Sequence, residues 1–175
     1  MRESTLFVSS TLSAKEAHMA IASAIREYLN SEDVSYVAFT HPLAFTAQHE
    51  AAVAHVPGWA WAKAVVCFAD DEPIQAVIPA PMHVDLGRLR ALAHASVLRL
   101  AREDEMKDLY PGCEPGAEPP FGPLYHQRVY VDESLAEHDE IVFNGGTHRD
   151  AIRMGYRDFV EITNAIVGRF GRPAV

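Results

Sequence analysis

The chain has 175 residues, 49% hydrophobic and 22% charged, with 24 Asp and Glu against 15 Lys and Arg and a formal charge of -9. That profile suits one globular domain with a sizeable core, and it argues against general nucleic-acid coating, because an acidic chain gains little from counterion release. No apolar run approaches the roughly 18–20 residues that cross a bilayer, and Leu6-Phe7-Val8 is too short for the core of a secretory signal. Cys67 and Cys113, without a CxxC pair, provide neither a disulfide framework nor the usual spacing of a zinc site. The expectation is a cytoplasmic protein with reduced thiols and no membrane or DNA partner. The cations are lopsided, twelve Arg against Lys15, Lys63 and Lys107, so local contact with an RNA end stays open.

Ser13 to Leu29 carries a helical apolar stripe of Ala17, Ile21, Ala24, Ile25 and Leu29, and Ser13 with Glu16 forms a capping-box pattern. Val34 to Thr40 is predicted as a strand that stops before Pro42, and Thr46 to Val56 as an Ala-rich helix with a Thr N-cap that Pro57-Gly58 ends. Ala62 to Ala69 and Ile74 to Ile78 read as a hairpin around the acidic turn Asp70-Asp71-Glu72-Pro73. A short helix from Asp85 to about Leu92, a brief strand at Val97 to Leu100 and a polar helical segment at Glu103 to Tyr110 follow. Pro111 to Pro123, PGCEPGAEPPFGP, is too rich in Pro and Gly for a regular element and is expected as an ordered loop. Arg128 to Val131 and Ile141 to Phe143 read as strands, Asn144-Gly145-Gly146 as a tight turn, Ala151 to Met154 as strand or helix, and Asp158 to Phe170 as a helix ending near Gly171.

Lys63 stands in WAWAKAVVCFA, where alternation puts it on one strand face with Val65 and Cys67. Apolar neighbours lower a lysine's pKa or make it seek an anionic or carbonyl partner; equally, the side chain can run off a strand edge and leave its ammonium in water. The pattern leaves both readings open. His49-Glu50 begins like a zincin helix, but the next histidine, His55, is six residues on instead of four, so the two imidazoles do not share a face. His41, His83 and His148 would ligate a metal only if the fold gathered them. There is no GxSxG elbow, Walker loop or GxGxxG. Cys67 reads as a small core residue and Cys113 as the more accessible thiol.

The order AKAVV with Lys63, VIPAPMHVDLGRL, GCEPGAEPPFG, RVYVD and FNGGTHRDAIRMGYRDF resembles the YbaK/prolyl-tRNA editing domain family, from about His41 to Ile162. The resemblance implies a single α+β domain over residues 1–175 with a mixed, barrel-like sheet surrounded by helices, the first 30 residues forming a helical extension packed on it. It also implies deacylation of a mischarged tRNA, without metal or cofactor. Lys63 matches the family's essential lysine, near the ester and the terminal adenosine. Pro120-Phe121-Gly122 matches the loop that lines the pocket, with Gly116 at its start, and Gly145-Gly146 matches the second glycine turn. Asn144 stands where several cysteine-removing relatives carry Ser, and Ala117 where they carry a second glycine.

The chemistry agrees with that implication. An aminoacyl ester is already activated, so its hydrolysis needs a placed water and stabilisation of the developing oxyanion; losing one donor to such an oxygen typically costs ~3 kcal/mol. Backbone N–H groups of Gly145 and Gly146 are the expected donors, with Lys63 placing the ester electrostatically. Each glycine turn alone reads equally as a chain reversal. Selectivity would come from pocket size, since one methylene is worth only ~1–3 kcal/mol. Val65, Phe121 and the His41 to Thr46 loop are candidate walls, and His148 either contacts substrate or caps the turn. The expected function is a freestanding deacylase that clears a small residue such as alanine or cysteine from prolyl tRNA, its partner being the tRNA acceptor end. The rivals are a non-catalytic module binding aminoacyl-tRNA ends or small amino-acid derivatives, and a histidine-dependent metallohydrolase.

Overall fold

The computed structural model of the chain describes residues 13–174, so the Leu6 to Val8 run lies outside it. Helix α1 (Ala14–Ser31) begins where the capping box predicts: the Ser13 side chain accepts from the Glu16 N–H and the Glu16 carboxylate from the Ser13 N–H. Its apolar stripe delivers Ile25 and Leu29 to the core. Strand β1 (Tyr36–Thr40) leads to helix α2 (Ala47–Val53), where Thr46 Oγ1 accepts from the His49 N–H at 3.2 Å.

β2 (Ala62–Ala69) and β3 (Glu72–Pro79) form the expected antiparallel hairpin. Its reversal is tighter than the sequence suggests: only Asp70 and Asp71 turn the chain, both at positive φ (47° and 68°), and Glu72 and Pro73 already belong to β3. Pro73 and Pro79 flank the stretch Ile74 to Val77 that is paired on both edges, which is where a strand tolerates a residue without an N–H. After it come β4 (Met82–Val84), α3 (Leu86–Leu92), β5 (Leu98–Leu100), α4 (Glu103–Leu109), β6 (Arg128–Asp132), β7 (Glu140–Asn144), β8 (Asp150–Gly155), α5 (Tyr156–Thr163), β9 (Ile166–Gly168) and β10 (Gly171–Pro173).

The strands make a mixed sheet in the order β5-β2-β3-β6-β9, an antiparallel sheet β1-β8-β7, and the pair β10-β4. A parallel bridge from Trp61 to Val142 joins the two larger sheets, and among the described residues they do not close into a complete barrel. The architecture is the expected α+β, with one correction near the C-terminus. The helix read over Asp158 to Phe170 stops at Thr163, because Asn164 turns left-handed at φ 50°, and Ile166 to Gly168 instead pair in parallel with β6. Ala151 to Met154, open between strand and helix, are strand because β8 has a partner on each side. No helix among the described residues is long and apolar enough to cross a membrane.

Phe121 centres the main core. Its ring meets Tyr28 at 5.4 Å and Phe143 at 5.1 Å, both edge-on, and Phe159 at 6.1 Å, with no exposure to solvent. Phe121→Ala is expected to cost about 3–5 kcal/mol of stability in urea unfolding. A loss near zero would mean the ring is not a packing element.

Candidate active site

Lys63 leaves β2 beside a cavity of about 530 Å³ whose lining includes Val65, Ile78, His83, Asp85 and Arg172. Its ammonium donates to the Ala80 carbonyl at 2.9 Å, and no carboxylate pairs with it among the described residues. Half-burial lowers its pKa from the ordinary lysine value. A single carbonyl uses one of its three N–H groups, so the amine is anchored yet can still donate.

A second polar centre forms where α2 meets the turn after β7. Glu50, only 1% exposed, accepts from Asn144 Nδ2 at 3.0 Å through one oxygen and faces His148 Nδ1 at 2.8 Å through the other. His148 Nε2 lies 2.8 Å from the Pro115 carbonyl. A carboxylate and a carbonyl can only accept, so both ring nitrogens donate and His148 is held as an imidazolium. Burial opposes that charge, but the hydrogen bonds to Glu50 and Pro115, with the negative charges of Glu50 and Glu114, outweigh it and leave the pKa raised. Nearby Glu118 is also raised, chiefly by burial, although the Gly116 N–H and the His148 charge pull the other way.

In this structure the amides of the second glycine turn already have main-chain partners. The Gly145 N–H donates to the Asp150 carbonyl at 2.8 Å and the Gly146 N–H to the Ala117 carbonyl at 3.0 Å, so in this structure neither is free to receive an oxyanion. What Gly146 supplies is close approach: it sits at φ +100°, and a Cβ there would come within 2.7 Å of Ile21. Gly116, at φ +87°, lies against the His148 ring, where a Cβ would be 3.5 Å from Cε1. Pro120, Phe121 and Gly122 are buried, and a Cβ on Gly122 would meet the Gln127 carbonyl oxygen at 2.4 Å. That loop packs on the core and lines none of the larger cavities.

Of the remaining expected residues, Val65 shares the Lys63 cavity, and Thr46 is the exposed cap of α2. Gly145 lies instead on a smaller cavity of about 240 Å³ together with Ile25, Tyr36 and Thr40. His41 stacks edge-on to Trp61 at 5.6 Å, and Trp61 forms the bridge to Val142. Lys63 and Asn144 each follow a residue of that bridge by two positions, but the Lys63 cavity and the cavity beside the second glycine turn share no lining residue. Sequence reasoning missed the parts played by Glu50 and Trp61; Phe45, inside the His41 to Thr46 loop expected as a wall, is 69% exposed and edge-on to His148 at 5.3 Å. A signal for Glu50 existed: it falls on the same helical stripe as Ala47, Ala51 and Ala54, and a carboxylate on a buried stripe needs a partner. Among the described residues no three His, Cys, Asp or Glu side chains gather as a metal-binding set.

The aminoacyl-tRNA editing domain model matches residues 41–162. Similar solved structures include a hypothetical protein (TM-score 0.76, 21% identity, covering 85% of this chain and 99% of that one). Another is described as a candidate trans-editing enzyme for prolyl tRNA synthetase (TM-score 0.73, 23% identity, 87% and 97%). A third, a candidate signal transduction protein from Marinobacter aquaeolei VT8, contains the fold in 30% of its length (TM-score 0.66, 16% identity, 85% of this chain). No curated protein sequence matches the chain.

Because its folded pKa is raised, His148 contributes stability that is complete below its unfolded pKa of about 6.5 and is lost as pH rises through the folded value. The advantage of wild type over His148→Gln in urea unfolding should therefore be largest below the ordinary histidine pKa of about 6.5 and shrink as the pH rises above it. A difference that does not change with pH would contradict the charged ring.

Proposed function

The chain belongs to the aminoacyl-tRNA editing domain family, and from that premise we propose that it is a freestanding deacylase of mischarged tRNA. Its substrate would be the ester of a small amino acid, alanine or cysteine on prolyl tRNA, hydrolysed in the cytoplasm without a metal. The observation that carries this reading is the Lys63 ammonium, half-buried on the wall of an open cavity and, among the described residues, bonded to the Ala80 carbonyl alone.

An aminoacyl ester needs little beyond a water in line with its carbonyl carbon and a positive group where the oxyanion develops. With the Gly145 and Gly146 amides occupied by Asp150 and Ala117, that electrostatic task passes to Lys63, whose charge is stronger in a partly water-excluded site than in bulk. The ammonium acts by its field and its N–H groups; it takes no proton from water. Rejection of larger residues is assigned to cavity size, with Val65 and Ile78 as walls. A second reading is a binding module for aminoacyl-tRNA ends or amino-acid derivatives, favoured by the occurrence of the fold within a larger protein described as a candidate signal transduction protein.

Deacylation rates over a panel of mischarged tRNAs test both. Wild type should cleave at least one small-residue ester, and Lys63→Ala should stay folded while losing on the order of 10²–10³-fold in rate. Equal rates would remove the role of Lys63. Binding without cleavage by wild type would favour the module.

A further inference from the structure

The Lys63 cavity has a second cation on its wall. Strand β10 pairs with β4 so that Arg172 stands directly opposite His83, and both residues line the cavity together with Lys63. Opposed residues of an antiparallel pair have Cβ atoms about 4.5–5.5 Å apart, so these two side chains serve one part of the wall. Met82, next to His83 along β4, belongs instead to the core. Lys63 is tied to the same corner: its ammonium donates to Ala80, in the turn between β3 and β4, three residues before His83.

The ionisable side chains on this cavity are Lys63, His83, Asp85 and Arg172. Asp85 is engaged elsewhere, one oxygen accepting from the Arg88 N–H at 3.0 Å and the other lying 3.6 Å from Arg88 Nε. Arg172 also borders a neighbouring cavity that holds Asp132, Glu133 and Glu137. There Asp132 accepts from the Phe170 and Gly171 N–H groups at 2.9 and 2.6 Å, and Glu133 lies 3.9 Å from Arg169. Among the described residues no carboxylate forms an ion pair with Arg172 or Lys63. His83 offers an N–H in either tautomer. A guanidinium fork backed by an imidazole and a nearby ammonium matches the paired oxygens of a phosphate. Size points the same way: a volume of about 530 Å³ suits a ligand much larger than an alanyl or cysteinyl group.

We propose that Arg172, with His83 opposite it, binds the phosphodiester on the 5′ side of the terminal nucleotide that carries the esterified amino acid, while Lys63 serves the ester. The identity of the ligand rests on the deacylase reading above; the preference for a phosphate rests on the charges of the cavity. Arg172 lies beyond residues 41–162, the part of the chain that the family model matches.

The test uses 3′-alanylamino-3′-deoxyadenosine, an amide that cannot be cleaved as an ester, and its 5′-methyl phosphate diester. Calorimetric titration of wild type should show the diester binding at least about tenfold tighter. That ratio should fall toward one in Arg172→Gln, fall several-fold in His83→Ala, and be partly restored in Arg172→Lys, which keeps the charge but not the fork. Arg172 and His83 are both exposed, so these variants should fold. Equal affinity of wild type for the two probes, binding of neither, or an unchanged ratio in Arg172→Gln would overturn the proposal. An unchanged ratio in His83→Ala would overturn the role of His83. Adenosine 5′-methyl phosphate separates an aminoacylated end from a free nucleotide: if it binds as tightly as the aminoacylated diester, the proposed ligand is wrong. Wild type that prefers the diester yet leaves every mischarged tRNA intact would uphold the phosphate site while removing the deacylase reading.

Discussion

The buried carboxylate of Glu50 ties together three stretches of chain that are distant in sequence. From α2 it reaches Asn144 at the end of β7 and His148 beyond the glycine turn, and through His148 it fixes the Pro115 carbonyl of the long Pro- and Gly-rich loop. Stripping water from two ions costs several kcal/mol each, and their attraction offsets this only when the remaining lone pairs and protons are also engaged. Here both carboxylate oxygens and both ring nitrogens are engaged. Glu114 adds to the closure, accepting from the His148 N–H at 2.7 Å.

The cations of the two polar centres, His148 and Lys63, are treated in opposite ways. His148 is neutralised and immobilised, so its charge serves architecture. Lys63 is partly dehydrated with a carbonyl for company, and among the described residues no carboxylate forms an ion pair with it, so its field reaches into the cavity. In a chain of formal charge -9, the wall of this cavity carries the cations Lys63 and Arg172 together with the carboxylate of Asp85.

The glycines show how one motif can carry two meanings. A Gly-Gly turn suggests exposed amides for an oxyanion, and the same spacing suits two backbones that must touch. The Gly146 carbonyl accepts from the Glu114 N–H while its own N–H donates to Ala117, so the turn and the Pro- and Gly-rich loop are stitched along their main chains. Ala117, in place of a second glycine, is fully buried at that seam. The turn therefore sets the position of Asn144 and His148 on either side of it.

Much of this protein is legible in residue order. The capping box of α1, the Thr46 cap of α2, the β2-β3 hairpin and Lys63 beside Val65 follow from local rules, because caps, turns and strand alternation depend on neighbours a few residues away. What lay beyond the sequence depends on distant partners. Ile166 and Val167 carry an apolar pattern that a helix would accept, and only the free edge of β6 makes them strand. Phe121 sits in a motif associated with a pocket, yet three aromatic rings from three other segments enclose it. The sequence by itself determined the α+β class, the family and the lysine. Tertiary structure decided how Asn144 is oriented, because its amide turns Nδ2 toward the Glu50 carboxylate that the fold brings against it from 94 residues away along the chain.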